Sequence, residues 1–337
     1  MTSLEFASTF VPELKKTLNG NAPAVGTGVW VKVSGSGTIT NPLVRNTTVT
    51  NISPGTTVMT WSISNPPCAS SVSNMTITTN ALPSIAAAGP NQTVCISSGA
   101  TLAANTPTAG TGAWTVLSGT STVVTPTNPT SAVTGLSVGN NDFRWTITNA
   151  PCAASFDNIR IVGRAIPTIA NAGPNQTLCA TTGTASTIMA GNAPTTGTGL
   201  WVIVSGSGAL ANPAIRNSAL TNISPGVTVL TWSISNPPCT SSTSNVTITT
   251  NAPPSIAAAG PNQTVCISST ATMAANTPTA GSGVWTLIGG SGTITTPTNP
   301  ATTITGLGVG NNTFRWTTSN PPCAASFDDI IIVGRAL

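Results

Sequence analysis

Fifteen residues, SIAAAGPNQTVCISS at Ser84 to Ser98, recur letter for letter at Ser255 to Ser269. A shorter copy, ANAGPNQTLC, ends midway between them at Cys179. Self-similarity at a fixed period means that one structural unit is stacked repeatedly, and here the unit is about 85 residues long. Copies two apart, odd with odd and even with even, resemble each other more than neighbours do. The tryptophans fix the register: all eight fall into pairs 31 residues apart, Trp30 with Trp61, Trp114 with Trp145, Trp201 with Trp232, and Trp285 with Trp316. The second of each pair precedes a cysteine by seven residues, at Cys68, Cys152, Cys239 and Cys323. Four copies of one tryptophan-centred core are therefore expected.

Within a copy the hydrophobic period is two. In FRWTIT, Phe143, Trp145 and Ile147 alternate with Arg144, Thr146 and Thr148, the pattern of a strand with one buried face. MTWSIS at Met59 to Ser64 behaves likewise. The runs VWVKV from Val29 and LWVIV from Leu200 are apolar on both faces, which suits a central strand better than an edge. Turn-forming stretches such as NPPC, SPGTT and VGNN separate the runs at intervals of roughly 8 to 12 residues, and no segment keeps a helical period. The SGSG stretches at Ser34 and Ser205 lack the Lys-Ser/Thr ending of a phosphate loop and read as hairpin turns. The expectation is all-β: tandem antiparallel sandwiches of about seven strands each, immunoglobulin-like, in an elongated rod.

Composition narrows the function. Only 5% of the 337 residues are charged, 10 Lys+Arg against 6 Asp+Glu, with no His. A net charge of +4 makes no basic stripe for nucleic acid. Without histidine, the usual general base and commonest metal ligand is missing. No run of roughly 20 apolar residues offers a membrane span. No export signal is recognisable, yet seven regularly spaced cysteines read as a disulfide framework from an oxidising compartment. The chain is accordingly read as a mature piece of a longer secreted protein.

The opening AGPNQTVC, the glycine-rich turn before the first Trp, the segment SPGTTVMTWSISNPPC and the closing NVTITTN or IIIVG resemble the PKD-like and immunoglobulin-like repeats of very large Bacteroidota cell-surface proteins. Those include gliding-motility adhesins exported by type IX secretion. The resemblance covers residues 18–337. It implies extracellular sandwich repeats that extend an adhesive or motility element from the cell. The acidic opening residue of PKD domains is replaced by Asn91, Asn175 and Asn262, so no calcium site is carried over.

The resulting domain plan is a non-repeat segment, 1–17, followed by repeat 1 (18–80), repeat 2 (81–165), repeat 3 (166–251) and repeat 4 (252–337). Two cysteine pairings are equally periodic. One joins Cys95 to Cys152, Cys179 to Cys239 and Cys266 to Cys323 within repeats, leaving Cys68 unpaired or intermolecular. The other joins Cys68 to Cys95, Cys152 to Cys179 and Cys239 to Cys266 between repeats. Similarity to the intersheet bridge of sandwich domains favours the first. Subtracting the repeat offset from Cys179 lands on Ser8, in sequence unrelated to the third copy. Repeat 1 therefore lacks its opening strand, which a neighbouring chain could supply or residues 1–17 could replace.

No catalytic, cofactor or metal residues are assigned. Asp157, Asp328 and Asp329 read as solvated strand ends, and Arg144 and Arg315 as solubilising groups on an outer face. The tryptophans read as core rather than as sugar-stacking platforms, and the Asn-x-Ser/Thr sequons as a by-product of Thr-rich composition. The expected protein is not an enzyme. It is a stalk or filament segment of a secreted surface adhesin, located outside the cell, partnered by further repeats of the same or a longer chain. Alternative readings are a glycan- or surface-binding immunoglobulin-like module, and a phage decoration protein.

Overall fold

A computed structural model describes residues 15–336, which form strands and no helix. It divides into two compact units, Met1–Gly163 and Arg164–Leu337, each carrying two sandwiches.

Repeat 3 shows the plan. One sheet has the order Gln176–Cys179, Cys239–Asn251, Gly226–Asn236, Thr198–Ser205; the other has the order Ala185–Ile188, Ala219–Ile223, Ala209–Leu210. All neighbours are antiparallel except the opening strand, which runs parallel to the closing one, Gln176 beside Ile248 through Cys179 beside Asn251. Repeat 4 repeats this, with Gln263 beside Ile332 and Cys266 beside Arg335. Thr228, Leu230, Trp232 and Ile234 alternate inward along one strand, as the period of two requires.

The two tryptophans of each copy are cross-strand partners: Trp30 with Trp61, Trp114 with Trp145, Trp201 with Trp232, Trp285 with Trp316. Their rings lie 5.0 to 5.2 Å apart and are tilted by 40 to 46°, a favourable aromatic geometry. All eight are buried, the most exposed at 4%. The first of each pair donates its indole N–H to a backbone carbonyl fifteen residues on, that of Arg45, Pro129, Arg216 or Pro300. Two residues before it stands a glycine, and the close approach of the second indole is the reason. A Cβ on Gly199 would lie 2.2 Å from Trp232, and one on Gly28, Gly112 or Gly283 would lie 2.1 Å from its own tryptophan.

The strands Thr27–Ser34 and Thr198–Ser205, expected at the centre, lie at the sheet edge. Their second apolar face is open, with Val33 63% and Val204 61% exposed. The double-sided apolar pattern thus expresses the preference of β-branched residues for extended backbone, not burial on both sides. The hairpin turns after these strands use Gly35 (φ 82°) and Gly206 (φ 90°) in the left-handed region, where glycine carries no steric cost.

Repeat 1 departs from the plan. Its larger sheet has three strands among the described residues, Thr27–Ser34, Gly55–Asn65 and Cys68–Thr79, where the other repeats have four. Its smaller sheet begins with Lys16–Thr17, whose pairing of Lys16 with Val49 and Thr17 with Thr48 matches that of Thr187 with Leu220 and Ile188 with Ala219 in repeat 3. The first sandwich therefore reaches back into the segment set aside as 1–17, because the edge of its smaller sheet needs that strand. Ser8, and any fold-back of residues 4 to 12, lie outside the described residues.

Candidate functional site: the joint between repeats

The chemistry of this chain is concentrated where one sandwich meets the next. Just before each opening strand the asparagine of Asn-Gln-Thr binds the backbone of the closing strand: Asn91, Asn175 and Asn262 accept 2.8 Å hydrogen bonds from the N–H of Arg160, Thr247 and Ile331. Just upstream, small alanines lie buried in the segment that leads into the strand. Ser242 and Ser244 hydroxyls accept from the N–H of Ala170 and Ala172, and carboxylates of Asp157 and Asp328 accept from Ala88 (2.7 Å) and Ala259 (2.8 Å). These two acids are structural anchors rather than merely solvated strand ends.

These contacts carry the opening strand to its terminal cysteine, beside the last residue of the closing strand. The cysteine after the second tryptophan stands instead at the start of that strand. Cys239 opens the strand Cys239–Asn251, and Cys179 lies beside Asn251. At about 3.3 Å per residue the two sulfurs of one repeat are separated by roughly 40 Å, and no bridge can span that.

The bridge crosses the joint. Cys179 of repeat 3 is bonded to Cys323 of repeat 4, with Cα atoms 5.0 Å apart and a sequence separation of 144. Cys95 and Cys239 each take part in a disulfide bond. Cys152 is a free, half-buried thiol, and Cys68 and Cys266 are free and exposed. The expected bridges Cys95–Cys152, Cys179–Cys239 and Cys266–Cys323 are therefore wrong, and so is the alternative set. The second tryptophan of each copy packs on the first as its cross-strand partner in the same sheet, and the cysteines of repeat 3 stand at strand ends, Cys179 at the end of the opening strand and Cys239 at the start of the closing one.

Hydrogen bonds complete the joint. Asn251 donates to the Pro321 carbonyl (2.5 Å) and Asn320 to that of Ala252 (2.9 Å). The Cys323 sulfur lies 3.5 and 3.4 Å from the carbonyls of Asn251 and Ala252. The joint between repeats 1 and 2 is built alike. Asn80 donates to the Ala150 carbonyl, Asn149 to that of Ala81 at 2.8 Å, and the Cys152 thiol stands 3.4 Å from the Ala81 carbonyl. Beside it opens a groove of about 410 Å³, lined by Lys15, Lys16, the strand residues Met75–Asn80, Pro151 and Cys152.

The charged residues of the even repeats form pairs on outer faces. Arg315 grips Asp329 through two bonds of 2.8 and 2.9 Å and lies 3.9 Å over the Phe327 ring. Arg144 stacks 4.2 Å over Phe156 and donates to Asn158. Arg160 pairs with Asp142 at 2.7 Å. The hydrogen bond from Arg315 holds the Asp329 carboxyl below its ordinary range, and that from Arg160 does the same for Asp142. Among the described residues no three His, Cys, Asp or Glu side chains cluster as a metal site, and no helix is long and apolar enough to cross a membrane.

No protein-family profile matches the sequence, and neither does any curated protein. Solved structures resemble it in fold. A three-domain titin fragment, I67–I69, is 14% identical over 76% of this chain and 99% of its own, with a TM-score of 0.46. Immunoglobulin domains 1–4 of Sidekick-1 are 12% identical over 96% of this chain and 94% of theirs, with a TM-score of 0.36. The insect immune protein hemolin is 11% identical over 96% of both chains, with a TM-score of 0.30.

Proposed function

We propose that the chain is a structural spacer in the stalk or filament of a secreted bacterial cell-surface adhesin, of the gliding-motility kind exported by type IX secretion, and that it acts outside the cell. The observation that carries this reading is the Cys179–Cys323 bond, which ties successive repeats across their joint instead of bracing one repeat. A recognition module gains little from a covalent lock between domains, whereas a spacer under load gains resistance to extension. Disulfides also favour an oxidising compartment. The burial of all eight tryptophans supports the spacer over a glycan-binding module, since none is left to stack on a sugar.

Immunogold microscopy of the source cells with antibody against these repeats tests the reading. Gold along surface threads is expected, and gold confined to the cell interior would overturn it. On a glycan array the chain is expected to be retained no better than a single-copy control; selective retention would transfer the proposal to the binding-module class.

A further inference from the structure

The groove between repeats 1 and 2 has the features of an acceptor site for a β-strand. In repeat 3 the outer edge of the closing strand hydrogen-bonds the opening strand: the Thr247 N–H reaches Asn175, and the Asn251 carbonyl accepts from Ala180. The same edge in repeat 1 is formed by Thr76, Thr78 and Asn80, and these residues line the 410 Å³ groove. Ile77 contributes to the repeat 1 core, with Met75 packed against it. In the other repeats the third residue of the opening strand, Val94, Leu178 or Val265, packs on the equivalent core. At the end of the groove stands Cys152, placed against Ala81 as the disulfide-bonded Cys323 is placed against Ala252.

We propose that this groove binds a strand of a second polypeptide reading Gln-Thr-aliphatic-Cys, parallel to Cys68–Thr79, in the register of Gln176–Cys179, and that the strand's cysteine bonds to Cys152. Three observations define the occupant. The backbone edge calls for an extended chain, as in strand addition generally. The core beneath calls for an aliphatic side chain in the third position. The free thiol calls for a cysteine in the fourth, and residues before Lys15 contain none. The opening strands of the other repeats are already paired within their own sheets, so none of them is free to serve as the donor. The bond forms by exchange with a small-molecule disulfide. Cys152 and the donor cysteine each lose a proton, their sulfurs join, and the disulfide is reduced to two thiols. The site does not depend on the spacer reading and stands or falls separately from it.

The test uses the full chain and a synthetic peptide with the sequence of residues 172–179, AGPNQTLC, its cysteine activated as a mixed disulfide with thionitrobenzoate. Attack by the Cys152 thiolate releases the coloured thiol, and peptide mapping locates the adduct. Docking raises the local concentration of the reacting sulfur, so capture at Cys152 is expected to be about ten-fold faster than with a scrambled peptide ending in cysteine. Cys68 and Cys266 serve as internal references and are expected to react equally with both peptides. Thr78→Pro removes a backbone donor on the edge that no described strand covers, where proline is tolerated, and is expected to erase the preference while circular dichroism is unchanged. Equal rates for the two peptides at Cys152, or no adduct there, would overturn the proposal, and that comparison holds even if the proline variant fails to fold.

Discussion

At the residue scale, the Gly-x-Trp motif decides whether a sandwich closes. Gly199 has no room for a methyl group, because the Trp232 ring occupies the position its Cβ would take. Gly199→Ala is expected to destabilise repeat 3 by about 1–3 kcal/mol, the usual range for overpacking, read as an earlier denaturant midpoint. A midpoint unchanged from the parent would show that the ring can shift freely. The Arg315–Asp329 pair predicts a pH effect. The folded state holds the Asp329 carboxyl below its ordinary value of 3.8, so its contribution is complete above that pH and is lost as pH falls through the depressed value. The pair is substantially exposed, and the loss is correspondingly small. Thermal melting of Asp329→Asn beside the parent is expected to differ at pH 7 and to converge as the pH falls through the depressed value; a constant gap would refute the linkage.

At the element scale, the parallel opening strand explains the cysteine arrangement. Because it runs alongside the closing strand, its cysteine is carried to the far end of the sandwich, against the next repeat. The Cys179–Cys323 closure restricts the unfolded chain by about 5 kcal/mol in the chain-entropy picture. Cys323→Ser is expected to lower the unfolding midpoint of repeats 3 and 4. Non-reducing peptide mapping should recover Cys179 joined to Cys323, with alkylation of Cys68, Cys152 and Cys266. Recovery of Cys179 joined to Cys239 would contradict the strand order itself. The strand pattern, the turns and the core tryptophans were legible in the sequence, since each follows from local alternation and spacing. The edge position of VWVKV and LWVIV was not, because a period-two pattern does not report how many neighbours a strand has.

At the scale of the whole molecule, two consequences follow from scarce charge and covalent joints. With 16 ionisable Lys, Arg, Asp and Glu in 337 residues, stability rests on apolar burial and neutral hydrogen bonds. The thermal midpoint is expected to drift upward smoothly, without a sharp loss, as salt rises and the screening length falls from about 30 to 3 Å. A steep drop would reveal a network of charges that the structure does not contain among the described residues. Mechanically, the 144-residue closure shields the chain between its sulfurs from extension. Single-molecule pulling under reductant is expected to release about 480 Å more contour length than under oxidising conditions, at about 3.3 Å per residue. Equal lengths in both conditions would mean that the bond is absent in solution.

The sequence by itself determined the repeat, its register, the all-β class and the burial of the tryptophans, because all of these are written in local periodicity. Only the tertiary structure decided the disulfide partners. The spacings Cys95 to Cys152 and Cys152 to Cys179 are equally regular, and sequence distance does not reveal which end of a 40 Å strand a sulfur occupies. That depends on the direction in which the opening strand joins the sheet. The parallel direction leaves Cys179 facing the following repeat.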